Sequence, residues 1–516
     1  MLSDLFPSDA AQGRSVVRAP HVTWRYLWPV LGVAFLVRLF FAQWADVQLH
    51  PDETYQYYEQ AYRLIHGYGL IPWEYVFGIR SWFIPLCLAG LLVVAEAIGL
   101  DQPYEYAFFV KSVLCLISLS LPLSMYRLGQ VLWNEQVAVF SFLLGCFWHH
   151  FLYMAHKPMP GVLAMYGLVW LVVWMLQPVT RARAFWFGLM VGLVFTLRYQ
   201  LLPVLGLVWL IALYRLRGVA VGPLLMGSTV AVGIAGVLDW YFWGGFLTSF
   251  VENFRLNFLY DIASTFSEKG GDFYIKRITK ETGGLFLLGL AGFALVWRQA
   301  WAITVSLLVG FALFHVPAHK ELRFVLWIVP FSLVGSAIAT LWLADRHALL
   351  QRVAPIVLCV VVAGPTVWYG ARYLGVVPFK DWWRDGTSVM RTLSETDDVT
   401  AVEFLTPSRA WAGLPGYYTL GKPVPLYMFG WHSDVTPAER ATRLAHVSHI
   451  VAEADQQIPP GYVLHSQHGI FSLWHSKTPK TAVGLEGFNL RTPYPTPIPR
   501  GYQTLGSRTP LKIEGW

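Results

Sequence analysis

The chain has 516 residues, of which 55% are hydrophobic and only 13% are charged. Soluble proteins carry about 25% charged residues, so this composition excludes a water-soluble protein. The formal net charge of +7 comes from short basic segments between apolar runs, a pattern typical of membrane topology rather than of nucleic-acid binding. All four cysteines lie inside apolar segments, so the sequence predicts neither a disulfide framework nor a cysteine metal site.

Basic residues flank the apolar runs and set the predicted topology. Arg14, Arg18 and Arg25 precede the first run, which predicts a cytoplasmic segment 1–26 and a membrane domain 27–374. Runs of about 17 to 25 apolar residues are long enough to cross a bilayer as helices. The predicted crossings are 28–44, 107–126, 136–153, 161–177, 184–197, 200–214, 219–238, 284–297, 300–316, 324–344 and 353–374.

One apolar stretch, 82–98, does not fit this alternation. The basic residues between the spans, among them Arg127, all lie in the cytoplasm only if this stretch does not cross the membrane. We therefore expect an interfacial or re-entrant helix inside a first outer loop 45–106, with a twelve-span topology as the alternative. A second large outer loop is expected at 239–283.

The C-terminal part of the chain changes character after the last crossing. Short runs typical of strands occur at 399–405, 449–452 and 469–474, and Thr436-Pro437 is typical of a helix start. These patterns predict a small α/β domain at 375–480 outside the membrane, followed by an extended proline-rich tail at 481–516. The fold class is therefore an all-α polytopic membrane protein of about eleven or twelve helices with a small extracytoplasmic α/β domain.

An acidic motif, His50-Pro51-Asp52-Glu53, follows the first span directly. Placing ionisable side chains at a membrane boundary costs free energy. Their presence there therefore indicates a functional site. Capping of a helix is the alternative, but a cap needs only one acid. We interpret Asp52 as a general base acting on an acceptor hydroxyl, with Glu53 as the second candidate.

Cations and a further acid are expected to complete this outer site. Glu74 and Arg80 belong to the same first outer loop. A second group, at the outer end of a span, has His319, Lys320 and Arg323 close together, an arrangement that suits a phosphate. An interfacial anchor reaching lipid headgroups is the alternative, but a positive cluster on the outer side opposes the usual charge bias.

Further residues are candidates for substrate contacts. Arg198 falls at the outer end of a helical hairpin, where it either meets the same anion or pairs with a carboxylate. Asp239 begins the large outer loop, whose aromatic and amide side chains suit sugar hydroxyls. His50, Glu74 and Arg80 are the other substrate-contact candidates. Because Asp-x-Asp does not occur in the chain and its histidines lack ligand partners at metal spacing, we expect no metal and no cofactor.

Four segments together resemble a known family. They are His50-Pro-Asp-Glu53, Trp73-Glu-Tyr75, Ile79-Arg-Ser81 and His319-Lys-Glu-Leu-Arg-Phe324. Their order and approximate spacing are similar to those of the family 22 mannosyltransferases, which are GT-C enzymes that add mannose in N-glycan and GPI-anchor assembly. The resemblance covers about residues 27–345. The chain departs from the family pattern at 154–159 and at Leu322, which leaves the acceptor and the sugar open.

The resemblance implies the GT-C fold, an active site on the outer face, a polyprenyl-phosphate-linked sugar donor and inversion at the anomeric carbon. A lipid phosphate is a good leaving group, so one base and one cationic clamp suffice. The base would be Asp52. The residues expected to hold the donor phosphate are His319, Lys320, Arg323 and Arg198.

The expected partners are the lipid-linked sugar, a glycan or glycolipid acceptor and membrane lipids, without nucleic acid. Mannose is the expected sugar, and arabinose, galactose and glucose are the alternatives. A transporter of lipid-linked sugars is a rival function, although transporters tend to show internal repeats and midplane sites. A second rival function is that of an assembly subunit that has kept the fold but lost catalytic activity. Short loops favour a bacterial inner membrane with the active face in the periplasm.

Overall fold

The computed structural model describes residues 24–44, 50–177, 180–216, 220–265, 267–374, 382–406, 413–428 and 437–485. Most of the predicted cytoplasmic segment, most of the predicted proline-rich tail, and Thr436 lie outside these residues.

The described residues form a helical bundle followed by a small sheet. The helices are α1 (Trp24–Trp44), α2 (Glu59–His66), α3 (Trp73–Val76), α4 (Phe83–Ala97), α5 (Pro103–Ser118), α6 (Ser120–Leu132), α7 (Glu135–Phe147), α8 (His149–Met154), α9 (Pro160–Met175), α10 (Arg181–Leu197), α11 (Leu202–Leu216), α12 (Val221–Trp243), α13 (Thr248–Phe254), α14 (Phe273–Glu281), α15 (Leu285–Leu295), α16 (Trp297–Leu313), α17 (Val329–Ala344), α18 (Ala348–Tyr373), α19 (Trp382–Glu395), α20 (Tyr417–Leu420) and α21 (Pro437–Leu444). The strands are β1 (Val402–Leu405), β2 (Leu426–Met428), β3 (His449–Glu453), β4 (Tyr462–His468) and β5 (Phe471–Ser476).

The apolar helices confirm a multi-pass membrane protein. Among the described residues, four helices are both long and apolar enough to cross a membrane: Arg25–Trp44, Pro103–Leu132, α12 and Leu326–Ala344. A fifth candidate is the pair α14 and α15, which meet at 96°. Shorter apolar helices, of 10 to 17 residues, overlap the crossings predicted at 136–153, 161–177, 200–214 and 300–316.

One helix extends beyond its predicted crossing. The crossing predicted at 107–126 belongs to a helix that continues to Leu132, and Arg127 lies within it, donating to Gln130. Arg127 ends the apolar run in the sequence, but it does not end the helix. The stretch predicted as interfacial or re-entrant, 82–98, is the 15-residue helix α4, which packs against α2 and α5.

Glycines let two helix pairs of the bundle approach backbone to backbone. A Cβ at Gly188 of α10 would lie 2.1 Å from the carbonyl oxygen of Leu224 on α12. At Gly292 of α15 a Cβ would lie 1.8 Å from the carbonyl oxygen of Gly335 on α17. Small residues at such contacts are the usual means of helix association in membranes, where close van der Waals packing replaces the hydrophobic effect.

The C-terminal part forms a mixed five-stranded sheet of order β2-β1-β3-β5-β4. Strand β1 pairs in parallel with β2 and β3, whereas β5 pairs antiparallel with β3 and β4. The predicted strands at 399–405, 449–452 and 469–474 correspond to β1, β3 and β5. Sequence patterns missed β2, which has three residues, and β4, which is a largely exposed edge strand.

Candidate active site

The acidic motif and the cationic segment predicted near the outer face meet in the structure. Asp52 lies just after α1, and Arg323 lies in a short turn before α17. Arg323 Nη1 donates to Asp52 Oδ2 over 2.8 Å, while Asp52 Oδ1 lies 3.0 Å from His50 Nδ1. The carboxylate of Asp52 is therefore held between an imidazole and a guanidinium at the surface of the bundle.

These neighbours keep Asp52 ionised. Burial by itself raises the pKa of the Asp52 carboxyl, but the charges of His50 and Arg323, with a hydrogen bond from His50, hold that pKa well below its ordinary value. The anion is therefore present at any physiological pH. A carboxylate in this state can accept a proton from a hydroxyl as that hydroxyl becomes acidic during bond formation.

The cationic segment is largely neutralised by its own acid. Glu321 accepts from His319 Nε2 over 3.1 Å and also pairs with Arg323 Nε. Burial raises the pKa of Glu321, but His319 and Arg323 outweigh burial and hold the pKa at about 2. The hydrogen bond to Glu321 also raises the pKa of His319. His319 and Arg323 are thus occupied by carboxylates in this structure.

Lys320 contacts backbone carbonyl groups rather than Glu321. Its ammonium group donates to the carbonyl oxygens of Pro317 and Lys269, over 2.6 and 3.1 Å, and the residue is 3% exposed. These contacts hold the chain that precedes α17 against the large outer loop. Lys320 therefore fixes backbone in this arrangement, although the sequence predicts a phosphate contact.

Two other arginines line a cavity beside Asp52. Arg80, Arg198, Tyr57 and Tyr199 are among the residues around about 410 Å³ of space, part of it open to solvent. Within the described part of the chain, neither guanidinium forms an ion pair. We call this space the arginine cavity, and the two guanidinium groups in its lining suit an anion.

Arg198 lies in a strongly positive environment. Burial, followed by repulsion from Arg323 and Arg80, lowers the pKa of Arg198 to about 10. Its guanidinium stacks on the ring of Phe324, with the central carbon 4.8 Å from the ring centroid. Several positive groups facing one cavity repel one another until an anion enters, which is the electrostatic condition of a phosphate site.

Glu74 adds a second titratable acid near Asp52. Gln56 Nε2 donates to Glu74 Oε1 over 2.6 Å, and Glu74 is 7% exposed. Burial, reinforced by the negative charge of Asp52, raises the pKa of Glu74 to about 7. The two acids therefore differ in charge at neutral pH, with Asp52 ionised and Glu74 near its midpoint.

The second carboxylate of the acidic motif has a different environment. Glu53 Oε1 lies 3.0 Å from Lys157 Nζ, and both side chains are almost completely buried. Lys157 belongs to the segment 154–159, where the sequence departs from the family pattern. Because the pair is enclosed, Glu53 anchors the acidic motif to the loop between α8 and α9.

Asp239 lies beneath the large outer loop. Its Oδ2 accepts from the backbone N–H and the hydroxyl of Ser249, over 2.7 and 2.5 Å, and the residue is 1% exposed. Ser249 in turn contacts the hydroxyl of Tyr199 over 2.5 Å, and Tyr199 lines the arginine cavity. Asp239 therefore shapes the cavity wall through Ser249 in this structure, whereas the sequence predicts a sugar contact.

The same loop holds the backbone of Arg80. Trp243 Nε1 donates to the carbonyl oxygen of Arg80 over 3.2 Å. Asn253 Nδ2 donates to the carbonyl oxygen of Ile79 over 3.4 Å. These contacts fix the turn from which the Arg80 side chain extends. The sequence did not predict this contact between the first outer loop and the large outer loop.

Sequence reasoning also missed Glu59, which joins the acidic motif to the C-terminal domain. A π-helical turn, Glu53–Tyr58, separates it from Asp52; such turns are frequent at functional sites. The fully buried Glu59 carboxylate accepts the backbone N–H groups of Leu70, Tyr417 and Tyr418 over 2.8, 3.0 and 3.0 Å.

Aromatic contacts extend this connection between α2 and the C-terminal domain. The rings of Tyr58 and Tyr418 stack with centroids 4.7 Å apart, and the hydroxyl of Tyr106 donates to the carbonyl oxygen of Tyr418 over 2.5 Å. The C-terminal domain thus packs against the helical segment that begins next to Asp52.

Comparisons with known proteins identify the family to which the chain belongs. Residues 29–393 match the Alg9-like mannosyltransferase family, which is more than half of the chain. The chain is 26% identical over 368 residues to GPI mannosyltransferase 3 of Trypanosoma brucei brucei, covering 60% of this chain and 64% of that protein. It is 22% identical over 294 residues to GPI alpha-1,2-mannosyltransferase 3 of Bos taurus, covering 55% of this chain and 53% of that protein.

A solved structure extends the likeness in fold to the C-terminal domain. ArnT from Cupriavidus metallidurans, crystallised with undecaprenyl phosphate, aligns with a TM-score of 0.58 at 12% identity and covers 88% of this chain and 98% of its own. This likeness confirms the predicted GT-C fold. The chain spans less than two thirds of the length of the curated relatives described above, but the family match covers all four motifs. The chain belongs to the Alg9-like mannosyltransferase family.

Proposed function

We propose that this chain is an integral-membrane GT-C enzyme that transfers mannose from a polyprenyl-phosphate donor to a hydroxyl of a glycan or glycolipid acceptor. One observation carries the proposal: the ionised Asp52 lies beside a cavity lined by Arg80 and Arg198. A base next to a cavity lined by two guanidinium groups is the arrangement that transfer from a lipid phosphate requires.

The reaction follows from these positions. Asp52 accepts the proton of the acceptor hydroxyl while the hydroxyl oxygen forms a bond to the anomeric carbon of the sugar. The bond between that carbon and the phosphate oxygen breaks, and the phosphate leaves with its electron pair. Attack from the face opposite the phosphate inverts the anomeric centre.

Arg80 and Arg198 stabilise the charge that grows on the departing phosphate. Arg323 has another role in this proposal, because it is bound to Asp52 and Glu321. It holds Asp52 in place and keeps its pKa low. His319 supports Glu321, Lys320 supports the backbone, and Glu53 anchors the motif to Lys157.

The proposed reaction needs no metal, because the phosphate is already a good leaving group and two guanidinium groups face it. We place the reaction on the outer face of a bacterial inner membrane, where lipid-linked sugars replace nucleotide sugars as donors. Arg14 and Arg18, which precede α1 in the sequence, and Arg25 in its first turn support this orientation through the positive-inside rule.

The test is sugar transfer by purified protein, supplied with a polyprenyl-phosphate mannose, a panel of glycan and glycolipid acceptors, and EDTA. We expect mannose transfer with inversion that persists in EDTA. Loss of transfer in EDTA would overturn metal independence, and transfer only from another lipid-linked sugar would correct the donor. Movement of labelled lipid across vesicles without any transfer would favour a transporter.

A further inference from the structure

A second cavity lies at the far end of α10 from the arginine cavity, and the chemistry described above does not use it. Arg198 directly follows α10, whereas Arg183 lies in its first turn, so the two residues are about 20 Å apart along the helix axis. The ends of α9 and α11 and the start of α10 enclose about 350 Å³ of space, part of it open to solvent. We call this space the distal cavity.

Two arginines give the distal cavity its positive charge. Arg183 comes from the first turn of α10 and Arg215 from the last turn of α11. Arg215 Nη1 donates to the carbonyl oxygen of Met175 over 2.7 Å, which fixes this guanidinium at the end of α9. The sequence contains no acidic residue between Glu135 and Asp239. The three helices around the cavity therefore contribute two guanidinium groups and no carboxylate.

The position of Arg183 is unfavourable for α10 by itself. The N-terminus of a helix carries a partial positive charge, so acidic residues stabilise the first turn and basic residues destabilise it. The first turn of α10 contains Arg181 and Arg183 and no acidic residue. The positive-inside rule accounts for arginines between two membrane spans, but it does not require that they line a cavity. An anion bound in the cavity would be stabilised by its two arginines and by the helix N-terminus.

The rest of the cavity lining is apolar and lies at the level of a membrane boundary. Trp174, Phe187 and Ala212 are among the lining residues. Trp186 and Tyr214, their neighbours in the sequence, are 56% and 42% exposed, and exposed Trp and Tyr are typical of the boundary between hydrocarbon and water. The distal cavity thus combines positive charge with apolar surface at the depth where a lipid headgroup meets its acyl chains.

We propose that the distal cavity binds an anionic phospholipid from the leaflet opposite the sugar-transfer site. The lipid phosphate lies between the guanidinium groups of Arg183 and Arg215, and an acyl chain packs against Trp174 and Phe187. On the predicted topology this leaflet is the cytoplasmic one, and basic pockets between membrane helices on that side suit anionic headgroups. The inference goes beyond the proposed function, because no step of sugar transfer uses this cavity.

The test maps where an anionic lipid binds. Phosphatidylglycerol that carries a photoreactive acyl chain is irradiated with the full-length protein in detergent, and the labelled peptides are identified by mass spectrometry. We expect labelling of the peptides that contain Trp174 and Phe187. Unlabelled phosphatidylglycerol should prevent this labelling at concentrations at which phosphatidylcholine, whose choline group is repelled by the arginines, does not. Because the position of the label is read directly, lipid bound at the arginine cavity does not interfere.

Two variants test the role of the arginines. Arg183→Gln and Arg215→Gln should each raise the lipid concentration needed for half-maximal labelling roughly five-fold, the effect of losing one partly exposed ionic contact. Arg215→Gln also loses the contact with Met175. Arg183→Gln leaves that contact in place, so it decides the question if Arg215→Gln does not fold.

Arg298→Gln is the matched control. Arg298 is exposed and also lies between two predicted crossings, but it does not line the distal cavity. Its replacement removes the same charge and should leave the half-maximal concentration unchanged. Equal shifts in Arg298→Gln and Arg183→Gln would overturn the inference, because they would show only a general attraction of anionic lipid to a basic surface.

Two further outcomes would contradict the inference. If phosphatidylcholine suppresses the labelling as well as phosphatidylglycerol does, the contact is apolar and the charge of the lipid is irrelevant. Labelling only at other membrane-facing helices would place the lipid outside the distal cavity. Both outcomes are read without measuring sugar transfer, so failure of this inference is distinguishable from failure of the proposed function.

Discussion

The guanidinium of Arg323 lies 2.8 Å from the carboxylate of Asp52, although 271 residues separate the two in the chain. This contact joins the first outer loop to the segment that begins α17. It places the proposed base beside the arginine cavity and determines its charge, because it contributes to the low pKa of Asp52.

Arg323→Met should therefore raise the pKa of Asp52. The base would then become protonated at a higher pH, and the acid limb of the transfer activity should move upward by at least about one pH unit. The measurement is a pH profile of sugar transfer. Arg391→Met, which removes an exposed arginine of α19 paired with Glu395, is the control. An acid limb that stays in place would show that Arg323 does not set the charge of Asp52.

Removing a cavity arginine should weaken donor binding without weakening the fold. Each charge-assisted contact with a phosphate contributes about 2 kcal/mol, so Arg80→Met and Arg198→Met should each lower the affinity for polyprenyl phosphate about thirty-fold. Because the two guanidinium groups repel each other, neither variant should unfold at a lower temperature.

Lys320→Met should show the opposite behaviour. It should keep the affinity for polyprenyl phosphate but unfold at a lower temperature, because two backbone carbonyl groups lose their donor. The measurements are a binding titration and thermal unfolding on the same preparations. A loss of affinity in Lys320→Met as large as that in Arg198→Met would restore Lys320 to the phosphate site.

Glu74 should make stability depend on pH below neutrality. Its pKa is about 7 in the folded protein, against an ordinary 4.5, so between these values the folded state binds more protons than the unfolded state. Stability should fall as the pH rises through this window and level off above about 7. Glu74→Gln retains the oxygen that accepts from Gln56 and should remove this dependence. Thermal midpoints measured across the window test this, and identical slopes in both proteins would exclude Glu74 as the cause.

The contact between Glu59 and the C-terminal domain should be sensitive to small changes. Glu59→Gln places an amide N–H against backbone donors, and Gly416→Ala places a Cβ about 2.6 Å from the Glu59 carboxylate. Each should cost on the order of 2 kcal/mol and should increase hydrogen exchange at 413–421. Gly233→Ala, where a Cβ meets no atom within 4 Å, is the control. Unchanged exchange in both variants would show that Glu59 does not hold this domain.

Much of the site followed from patterns that are local in the sequence. Apolar runs and arginines placed both motifs on one side of the membrane, which is why Asp52 and Arg323 could be assigned to a common site. Strands β1, β3 and β5 followed from short apolar runs. Strand β4 was missed because its residues are largely exposed, so no apolar run marks it.

The remaining features depend on partners that are distant in the chain. Nothing near Glu59 indicates Tyr417 or Tyr418, and nothing near Lys320 indicates that its ammonium group would meet the carbonyl oxygen of Lys269. A cluster of cations was an ambiguous pattern, because a lysine that holds backbone and a lysine that binds phosphate look alike in a sequence. Only packing distinguishes the two, and it shifted the proposed phosphate site to Arg80 and Arg198.

The most direct test of the account is single-turnover transfer from polyprenyl-phosphate mannose by wild-type and Asp52→Asn proteins, with binding of polyprenyl phosphate measured on the same samples. The account predicts that Asp52→Asn binds the lipid phosphate at least as tightly as the wild type but transfers mannose about a thousand-fold more slowly. Transfer at a rate near that of the wild type, by folded Asp52→Asn protein, would contradict it.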